Sequence, residues 1–194
     1  MSRILLHICC GVCASASIER LRREGYDVTG FFFNPNIHPY KEYCKRRTAI
    51  YHIKEASGIP VIEGEYHPRA WFSLTKEYAH ESEGGARCRL CYEMRLQETY
   101  RLLHQEGFDY FTTTLTISPH KESKVIFEIG RRLGGEYFLE RDFKKQGGFK
   151  QAMDFSTQHS LYRQDYCGCV YSLLERKVGK RRNKLQASGS KNNL

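Results

Sequence analysis

The sequence predicts an α/β fold with a largely parallel β-sheet that carries helices on both faces. Short apolar runs alternate along the chain with longer segments of helical periodicity, and glycine, proline or asparagine marks most of the boundaries. Such alternation favours parallel strands that are joined by helical crossovers. We expect a single α/β domain over residues 1–178, followed by a basic tail over residues 179–194 that is disordered in isolation.

The first half of the chain alternates between predicted strands and helices. Residues 4–8 form an apolar run bounded by Cys9 and Cys10, which predicts a buried strand. Residues 15–24 have apolar side chains at helical spacing and end at Gly25, a common C-terminal stop. The same reasoning predicts a strand at residues 28–33, a helix at residues 41–57 and the start of a strand at residues 61–62.

The second half continues the alternation. Residues 88–105 have the strongest helical pattern and end at Gly107. Ser118 fits an N-cap with Pro119 at the first helical position, so we expect a helix from there to residue 133. The remaining predictions are helices at residues 68–80 and 149–159, strands at residues 110–115 and 137–139, and a last ordered segment at residues 166–175.

Seven of the eight cysteines fall into three tight groups that are far apart in the chain. The groups are Cys9, Cys10 and Cys13; Cys88 and Cys91; and Cys167 and Cys169. Thiolates are soft ligands that suit iron–sulfur clusters, zinc or copper(I), and only a fold can gather groups so distant in sequence. One tetrahedral zinc or one [4Fe–4S] cluster takes about four thiolates, which leaves enough for a second metal or a redox pair.

The spacing within each group leaves alternatives open. The adjacent Cys9 and Cys10 serve one centre only if the backbone turns there, as Gly11 would permit; otherwise they serve two centres or are small buried hydrophobes. The C-x-C pair either ligates a metal or closes into a strained disulfide that acts as a redox relay. The remaining cysteine, Cys44, is interpreted as an ordinary core or surface residue, and the isolated histidines as satisfied structural residues.

Charge and composition limit the functional classes. The net charge is +9, but seven Lys and Arg residues between residues 176 and 194, with no acid among them, leave the rest of the chain at +2. This terminus either attracts a polyanion or simply solubilises the protein. The chain contains no G-x-x-x-x-G-K-[ST] loop and no G-x-G-x-x-G motif. Without a signal peptide or a long apolar run, we expect a cytoplasmic protein with no membrane segment, in a compartment where thiols stay reduced.

Six segments resemble the motifs of a known family, and they extend from residue 4 to about residue 175. They are residues 7–13, 32–39, 88–92, 112–119, 142–145 and 161–169. On these motifs the chain is similar to the epoxyqueuosine reductases of the QueH family. Two departures are Val12, where the family usually has Pro, and Asp165, where Asn is common; neither removes a thiolate, and the family also admits Asp at the position of Cys13.

The resemblance implies a fold, a reaction and a set of partners. The fold is Rossmann-like, of the adenine-nucleotide α-hydrolase-like (HUP) group. The activity is that of a cobalamin-independent oxidoreductase that removes the epoxide of epoxyqueuosine in tRNA, consuming two electrons and two protons and releasing water. The implied cofactors are a [4Fe–4S] cluster and an adjacent iron ion. The implied partners are the tRNA anticodon loop and an external electron donor.

On this resemblance we expect the cluster to be held by Cys9, Cys10, Cys88 and Cys91. The other thiols, Cys13, Cys167 and Cys169, would hold the second iron as a Lewis acid for the epoxide oxygen, or Cys167 and Cys169 would cycle as a dithiol. Tyr166 and His38 are candidate proton donors. The predicted substrate-binding residues, which the alternative interpretation treats as structural loop residues, are Asn34, Asn36, Tyr40, Arg163 and Gln164. The candidate phosphate contacts are Lys121, Lys144, Lys145 and the tail.

Two other functions compete with this one. An ATP-dependent tRNA sulfur-transfer enzyme of the same fold class would need an S-G-G-x-D-S type loop after the first strand, where this chain has His7-Ile8-Cys9-Cys10-Gly11-Val12. A zinc-stabilised RNA-binding module would use the same thiols without catalysis. Iron with inorganic sulfide would favour the reductase, whereas zinc alone would favour the binding module.

Overall fold

The computed structural model describes residues 1–189, and side chains as far as residue 180. A four-stranded parallel sheet with the order β3-β2-β1-β4 forms the centre. Its strands are β1 (Arg3–His7), β2 (Asp27–Phe32), β3 (Val61–Glu63) and β4 (Tyr110–Thr113). The helices are α1 (Gly11–Arg23), α2 (Tyr40–Ser57), α3 (Pro68–Thr75), α4 (Ala86–Glu106), α5 (Ser123–Gly134), α6 (Gly148–Gln158) and α7 (Val170–Gly189). The predicted α/β class with a parallel sheet is confirmed.

Both faces of the sheet are covered, because alternate residues of each strand point to opposite sides. Ile4 and Leu6 of β1 pack into a core that α1, α2 and α6 complete. Leu5 packs instead with Phe31 and Phe111 into a second core that α4 and α5 complete. Burial on both faces explains why the strands read as continuous apolar runs rather than as alternating patterns.

Several predicted boundaries are wrong. The strand expected at residues 110–115 ends at Thr113, because a 3₁₀ turn over Thr114–Ile117 follows it. The helix expected from residue 15 begins at Gly11, and the helix expected at residues 68–80 ends at Thr75 and continues as a 3₁₀ turn over Lys76–Tyr78. The helix expected from Pro119 begins at Ser123, because the hydroxyl of Ser118 accepts a hydrogen bond from the nitrogen of His120 (3.3 Å) and closes a local turn instead. The strand expected at residues 137–139 is reduced to a single parallel bridge between Phe111 and Phe138, since a 3₁₀ turn over Gly135–Tyr137 occupies its start.

The topology indicates a ligand site at the carboxyl edge of the sheet. The chain adds β2 and β3 on one side of β1 and then returns to place β4 on the other side, so the strand order reverses between β1 and β4 and a crevice opens at their ends. Helix α1 begins at this edge, directly after Cys9 and Cys10. The nitrogen of Cys9 donates to the hydroxyl of Thr114, just after β4, at 3.1 Å. Ligands of open parallel sheets bind at such positions.

The end of the chain falls partly outside the described residues. Residues 190–194 of the predicted tail lie beyond them, and residues 179–189 continue helix α7. The single domain over residues 1–178 and the disorder of the isolated tail stay predictions. Within the described part of the chain, no helix combines the length and the apolar character that crossing a membrane requires.

Candidate metal centre

The first cysteine group converges on one point. The Sγ atoms of Cys9, Cys10 and Cys13 all lie within 4.8 Å of one another. The backbone turns here, because Cys10 is the N-cap of α1 and its Sγ accepts a hydrogen bond from the nitrogen of Cys13 at 3.4 Å. The adjacent cysteines therefore face the same site, one of the two arrangements that the sequence left open.

Hydrogen bonds among the three thiols give them different pKa values: that of Cys9 is lowered, and those of Cys10 and Cys13 are raised. Those from the thiols of Cys10 and Cys13 lower the pKa of Cys9 well below its usual value. The bond from Cys13 lowers the pKa of Cys10, but the bond that Cys10 donates to Cys9 and its burial together raise that pKa to about 12. Donation to Cys10 and Cys9 raises the pKa of Cys13. The N-terminus of α1 stabilises negative charge on these sulfurs, and thiolate sulfur is the ligand that a soft cation prefers.

The second group lies on the first turns of α4. Cys88 and Cys91 are one helical turn apart and both are buried. The Sγ of Cys88 accepts a hydrogen bond from the nitrogen of Gly84 at 3.2 Å, and burial raises its pKa to about 11. Cys88 belongs to the same large apolar cluster against which Cys9 packs, on one face of the sheet.

The third group lies just before α7. Cys169 packs with Cys91 against Trp71, which joins the third group to the second. Its Sγ accepts a hydrogen bond from the nitrogen of Ser172 at 3.4 Å. Cys167 lines a cavity of about 620 Å³ together with Cys9 and Cys13. The first and third groups thus share a cavity, and the second group packs against the third. Among the described residues, only Cys9, Cys10 and Cys13 lie within ligating distance of one another, so a common site for all seven thiols stays a prediction.

A buried arginine holds the Cys167-Gly168-Cys169 segment in place. Arg46 of α2 is 2% exposed and donates to the carbonyl oxygens of Cys167 (2.9 Å) and Tyr166 (3.1 Å). Its Nε donates to Glu42 Oε1 at 2.8 Å, so the guanidinium is oriented by a buried carboxylate. Gly168 has a φ of +129° and lies against Arg46, an approach and a backbone conformation that favour glycine.

Of the predicted substrate-binding residues, Arg163 and Gln164 line the cavity, as does Tyr166. Gln164 Nε2 donates to the Sγ of Cys10 at 3.0 Å, so this amide joins the cavity wall to the first thiol group. The hydroxyl of Tyr166 donates to the carbonyl oxygen of His38, and burial raises the pKa of Tyr166 to about 12.

The other three predicted substrate-binding residues do not line this cavity. Asn34 is buried; its Nδ2 donates to the carbonyl oxygen of Ile8 at 2.8 Å. Asn36 is buried, and its Oδ1 has no hydrogen-bond partner in the described part of the chain. Tyr40 is 58% exposed at the start of α2 and stacks on Tyr43. Contacts of these three residues with a substrate stay predictions, and so does the division of the seven thiols among metals.

The interpretation of the histidines as satisfied structural residues holds for His7. Its Nδ1 lies 2.9 Å from the hydroxyl of Thr113 and its Nε2 lies 3.1 Å from the carbonyl oxygen of Phe33, and burial lowers its pKa to about 3. It is wrong for His38, whose two ring nitrogens are buried without a partner among the described residues. Burial between aromatic rings lowers the pKa of His38 to about 4.

Two residues of the site, Arg95 and Arg46, were not predicted from the sequence. Arg95 lines the cavity, and its position four residues after Cys91 on one helix was a usable signal for a cation on the thiol face. Arg46 had no such signal, because it reaches the site from α2 through a long-range contact with residues 166 and 167. Lys121 lies half-buried in the cavity wall, and its predicted contact with phosphate stays a prediction.

The donor set of this region fits a soft metal. The converging ligands of the first group are sulfur atoms alone, and Cys167 of the third group lines the same cavity. This set suits thiolate-bound iron or zinc rather than magnesium or calcium, which prefer oxygen ligands.

Comparison with known proteins gives a consistent result. Residues 4–175 match the family described as "Epoxyqueuosine reductase QueH". The chain is 37% identical over 176 residues to the epoxyqueuosine reductase QueH of Histophilus somni (strain 129Pt), covering 89% of this chain and 72% of that protein. It is 36% identical over 183 residues to the epoxyqueuosine reductase QueH of Thermotoga maritima, covering 91% of this chain and 93% of that protein. The corresponding protein of Streptococcus pyogenes serotype M1 is 36% identical over 178 residues, with 87% and 69% covered.

Proposed function

The chain belongs to the epoxyqueuosine reductase QueH family, and on that basis we propose that it removes the epoxide oxygen of epoxyqueuosine in tRNA. Two carbon–oxygen bonds break, a carbon–carbon double bond forms, and two electrons and two protons convert the oxygen to water. The observation that carries this proposal is that thiols of the first and third groups line one cavity, with Cys91 of the second group packed in one cluster with Cys169 of the third, because such a reduction needs a site that stores and delivers electrons.

We propose a thiolate-bound [4Fe–4S] cluster with an adjacent iron ion as the cofactors, without cobalamin. When bound, they would supply single electrons and Lewis-acid stabilisation of the departing oxygen. The cluster would be held by Cys9, Cys10, Cys88 and Cys91, and the remaining thiols would hold the iron or form a redox pair. The electrons would come from an external donor, in the cytoplasm, where the thiols stay reduced.

The cavity has room for the modified base. Its volume of about 620 Å³ is within the usual range for small-ligand sites, and it opens at the edge of the sheet where the thiols meet. In an anticodon loop a base can be turned out of the stack and read by its edge. Arg163 and Gln164 would orient the base, and the protonated hydroxyl of Tyr166, whose pKa burial raises to about 12, would be a proton source at neutral pH.

The experiment is anaerobic purification with determination of iron and sulfide per chain, followed by incubation with epoxyqueuosine-containing tRNA and a chemical reductant. Mass spectrometry of the digested tRNA should show conversion to queuosine, a loss of one oxygen atom. Zinc without sulfide, together with tRNA binding and no conversion, would instead identify the RNA-binding module. Conversion that required ATP and added sulfur would identify the sulfur-transfer enzyme.

A pair of serine variants tests the ligands. Cys88→Ser should lose the visible absorbance of the cluster and most of the turnover, because a ligand that the cluster needs is removed. Cys44→Ser is the matched control, since Cys44 is a half-buried cysteine outside the three groups, and it should retain both. A Cys88→Ser protein with full iron, sulfide and turnover would remove Cys88 from the ligand set.

A further inference from the structure

Arg95 is a buried cation with a free donor at the thiol site. Its side chain is 2% exposed, and it lines the cavity that Cys9, Cys13 and Cys167 also line. Its Nε donates to the carbonyl oxygen of Cys91 at 3.2 Å and its Nη1 to Asn34 Oδ1 at 3.3 Å. Its Nη2 is buried and has no hydrogen-bond partner among the described residues.

The charge of Arg95 is also uncompensated by any carboxylate. Among residues 1–180, no acidic side chain forms a salt bridge with it, whereas the buried arginines Arg46 and Arg87 pair with Glu42 and Glu175. A guanidinium stays charged in proteins, and burying it without a counter-ion is strongly unfavourable. The compensating negative charge must therefore be a group in the cavity itself.

The thiols close to Arg95 become negative when they bind a metal. Burial would lower the pKa of Arg95, and negative charge on Cys91, Cys167, Cys9 and Tyr92 raises it. Lys121 lines the same cavity: burial would lower its pKa, and negative charge on Cys167, Cys9, Tyr92 and Cys13 raises it. No carboxylate among residues 1–180 forms a salt bridge with Lys121 either. Of the three carboxylates that line the cavity, Asp165 and Glu175 are paired with arginines, and Glu83 is exposed and forms no salt bridge with Arg95 or Lys121.

We propose that Arg95 and Lys121 are fixed counter-charges for an anionic, thiolate-ligated group in this cavity, and that the free Nη2 of Arg95 donates to sulfur of that group. The inference rests on the proposed iron–sulfur cofactor. Adding an electron makes such a group one charge more negative, so a nearby permanent cation stabilises the reduced form more than the oxidised form. Arg95 is accordingly a positioning and tuning residue that makes reduction easier.

The test compares charge with shape at position 95 in the iron-loaded protein. Arg95→Lys keeps the charge, Arg95→Gln keeps hydrogen bonding without charge, and Arg95→Met keeps neither. Iron and sulfide are counted, and the midpoint potential is measured by anaerobic redox titration with absorbance and electron paramagnetic resonance. In Arg95→Gln we expect the ratio of reduced to oxidised cluster at a fixed potential to fall at least about tenfold, or about 59 mV for one electron. Arg95→Lys should stay near the wild-type potential, and Arg95→Met should shift as Arg95→Gln does.

Lys121→Gln and Lys121→Arg provide a second, independent pair on a half-buried loop, in case the position 95 variants do not fold. Lys121→Gln should shift the potential in the same direction, and Lys121→Arg should restore it. Wild-type protein without iron and sulfide would refute the proposed cofactor. If the wild-type protein holds iron and sulfide but the midpoint potentials of Arg95→Gln and Lys121→Gln equal that of the wild type, the counter-charge role alone would be refuted. Equal loss of iron in all three position 95 variants, with an unchanged potential in Lys121→Gln, would show that Arg95 is only structural.

Discussion

Gly11 shows how one residue permits the first thiol group to form. It is the first residue of α1, and a Cβ atom built on it would lie 2.7 Å from the carbonyl oxygen of Ala49 in α2. The missing side chain lets α1 start close against α2, and this start is what turns Cys9, Cys10 and Cys13 towards one another. The requirement is close packing rather than an unusual backbone conformation.

Gly11→Ala should therefore destabilise the metal-free protein by about 1–3 kcal/mol, the usual cost of overpacking, and should lower iron loading. Denaturant unfolding and metal analysis measure the two effects. Gly179→Ala is the control, because no heavy atom lies within 4 Å of a Cβ at that helical position. An alanine at position 11 without loss of either stability or iron would show that the close approach of α1 to α2 is dispensable.

Burial of the single residue His38 makes the free energy of unfolding depend on pH. Burial lowers its pKa to about 4, so between the unfolded value of 6.5 and pH 4 the unfolded chain binds a proton that the folded chain does not. The free energy of unfolding should fall as the pH drops through this window, by up to about 1.4 kcal/mol per pH unit. His38→Phe should remove this contribution, because the ring lies against Trp71 and Phe72.

Urea unfolding of both metal-free proteins at several pH values between 7 and 4 measures the difference. His7 titrates in the same direction but is present in both proteins, so its contribution cancels. We expect the stability of His38→Phe relative to wild type to rise as the pH falls. A difference that stays constant with pH would mean that His38 is not buried as a neutral ring.

At the scale of elements, the short segment between α6 and α7 is stabilised from α2. Arg46 bonds the carbonyl oxygens of Tyr166 and Cys167, and its partner Glu42 also accepts a hydrogen bond from the hydroxyl of Tyr162 at 2.5 Å. The nitrogen of His38 donates to the carbonyl oxygen of Gly168 at 2.7 Å. The carbonyl oxygens of three consecutive residues, 166–168, are thus bonded by one helix and the loop before it.

Arg46→Gln should leave Glu42 buried without its charge partner and cost about 3–5 kcal/mol in unfolding free energy. Cys167 should also be alkylated faster, because its segment is released; mass spectrometry after a timed pulse of iodoacetamide measures this. Arg131→Gln is the control, since its ion pair with Glu140 is on the surface and contributes at most about 1 kcal/mol. If Arg46→Gln unfolds and reacts as the wild type does, the clamp is not what holds Cys167.

Elements that follow from local pattern were predictable, and elements that depend on distant partners were not. The apolar run of β1 and the helix ended by Gly58 needed only their own residues, and both were found. Ser118 was predicted to be an N-cap. Whether its hydroxyl caps a helix or a local turn depends on the path of the following loop, which contacts elsewhere in the fold determine. The gathering of the cysteines was predictable from their number, whereas the clamp by Arg46 spans about 120 residues and left no local trace.

At the scale of the whole molecule, positive charge is concentrated near the C-terminus. Seven of the 31 Lys and Arg residues lie between residues 176 and 194 with no acid among them. Helix α7 begins directly after Cys169, and its Arg176, the first of the seven, lines the cavity. A tRNA bound with its anticodon loop at the cavity would place phosphates within reach of this charge, and phosphate contacts make binding dependent on salt.

Replacing Arg181, Arg182 and Lys184 with Gln should weaken tRNA binding and flatten its dependence on salt. The slope of log K against log salt should decrease in magnitude by up to about 0.7–0.9 for each phosphate contact that is lost. Fluorescence anisotropy with labelled tRNA over a series of salt concentrations measures it. Conversion of epoxyqueuosine at saturating tRNA should change much less than the affinity, because the thiol site is untouched.

A matched control removes the same charge elsewhere. Arg23, Lys54 and Arg101 lie towards the C-terminal ends of α1, α2 and α4, at the edge of the sheet opposite the thiols, and their replacement with Gln should leave the salt slope unchanged. Equal flattening in both triple variants would mean that tRNA responds only to total charge. No change in either would mean that the basic terminus solubilises the protein, and that the phosphates are bound by residues around the cavity such as Arg163.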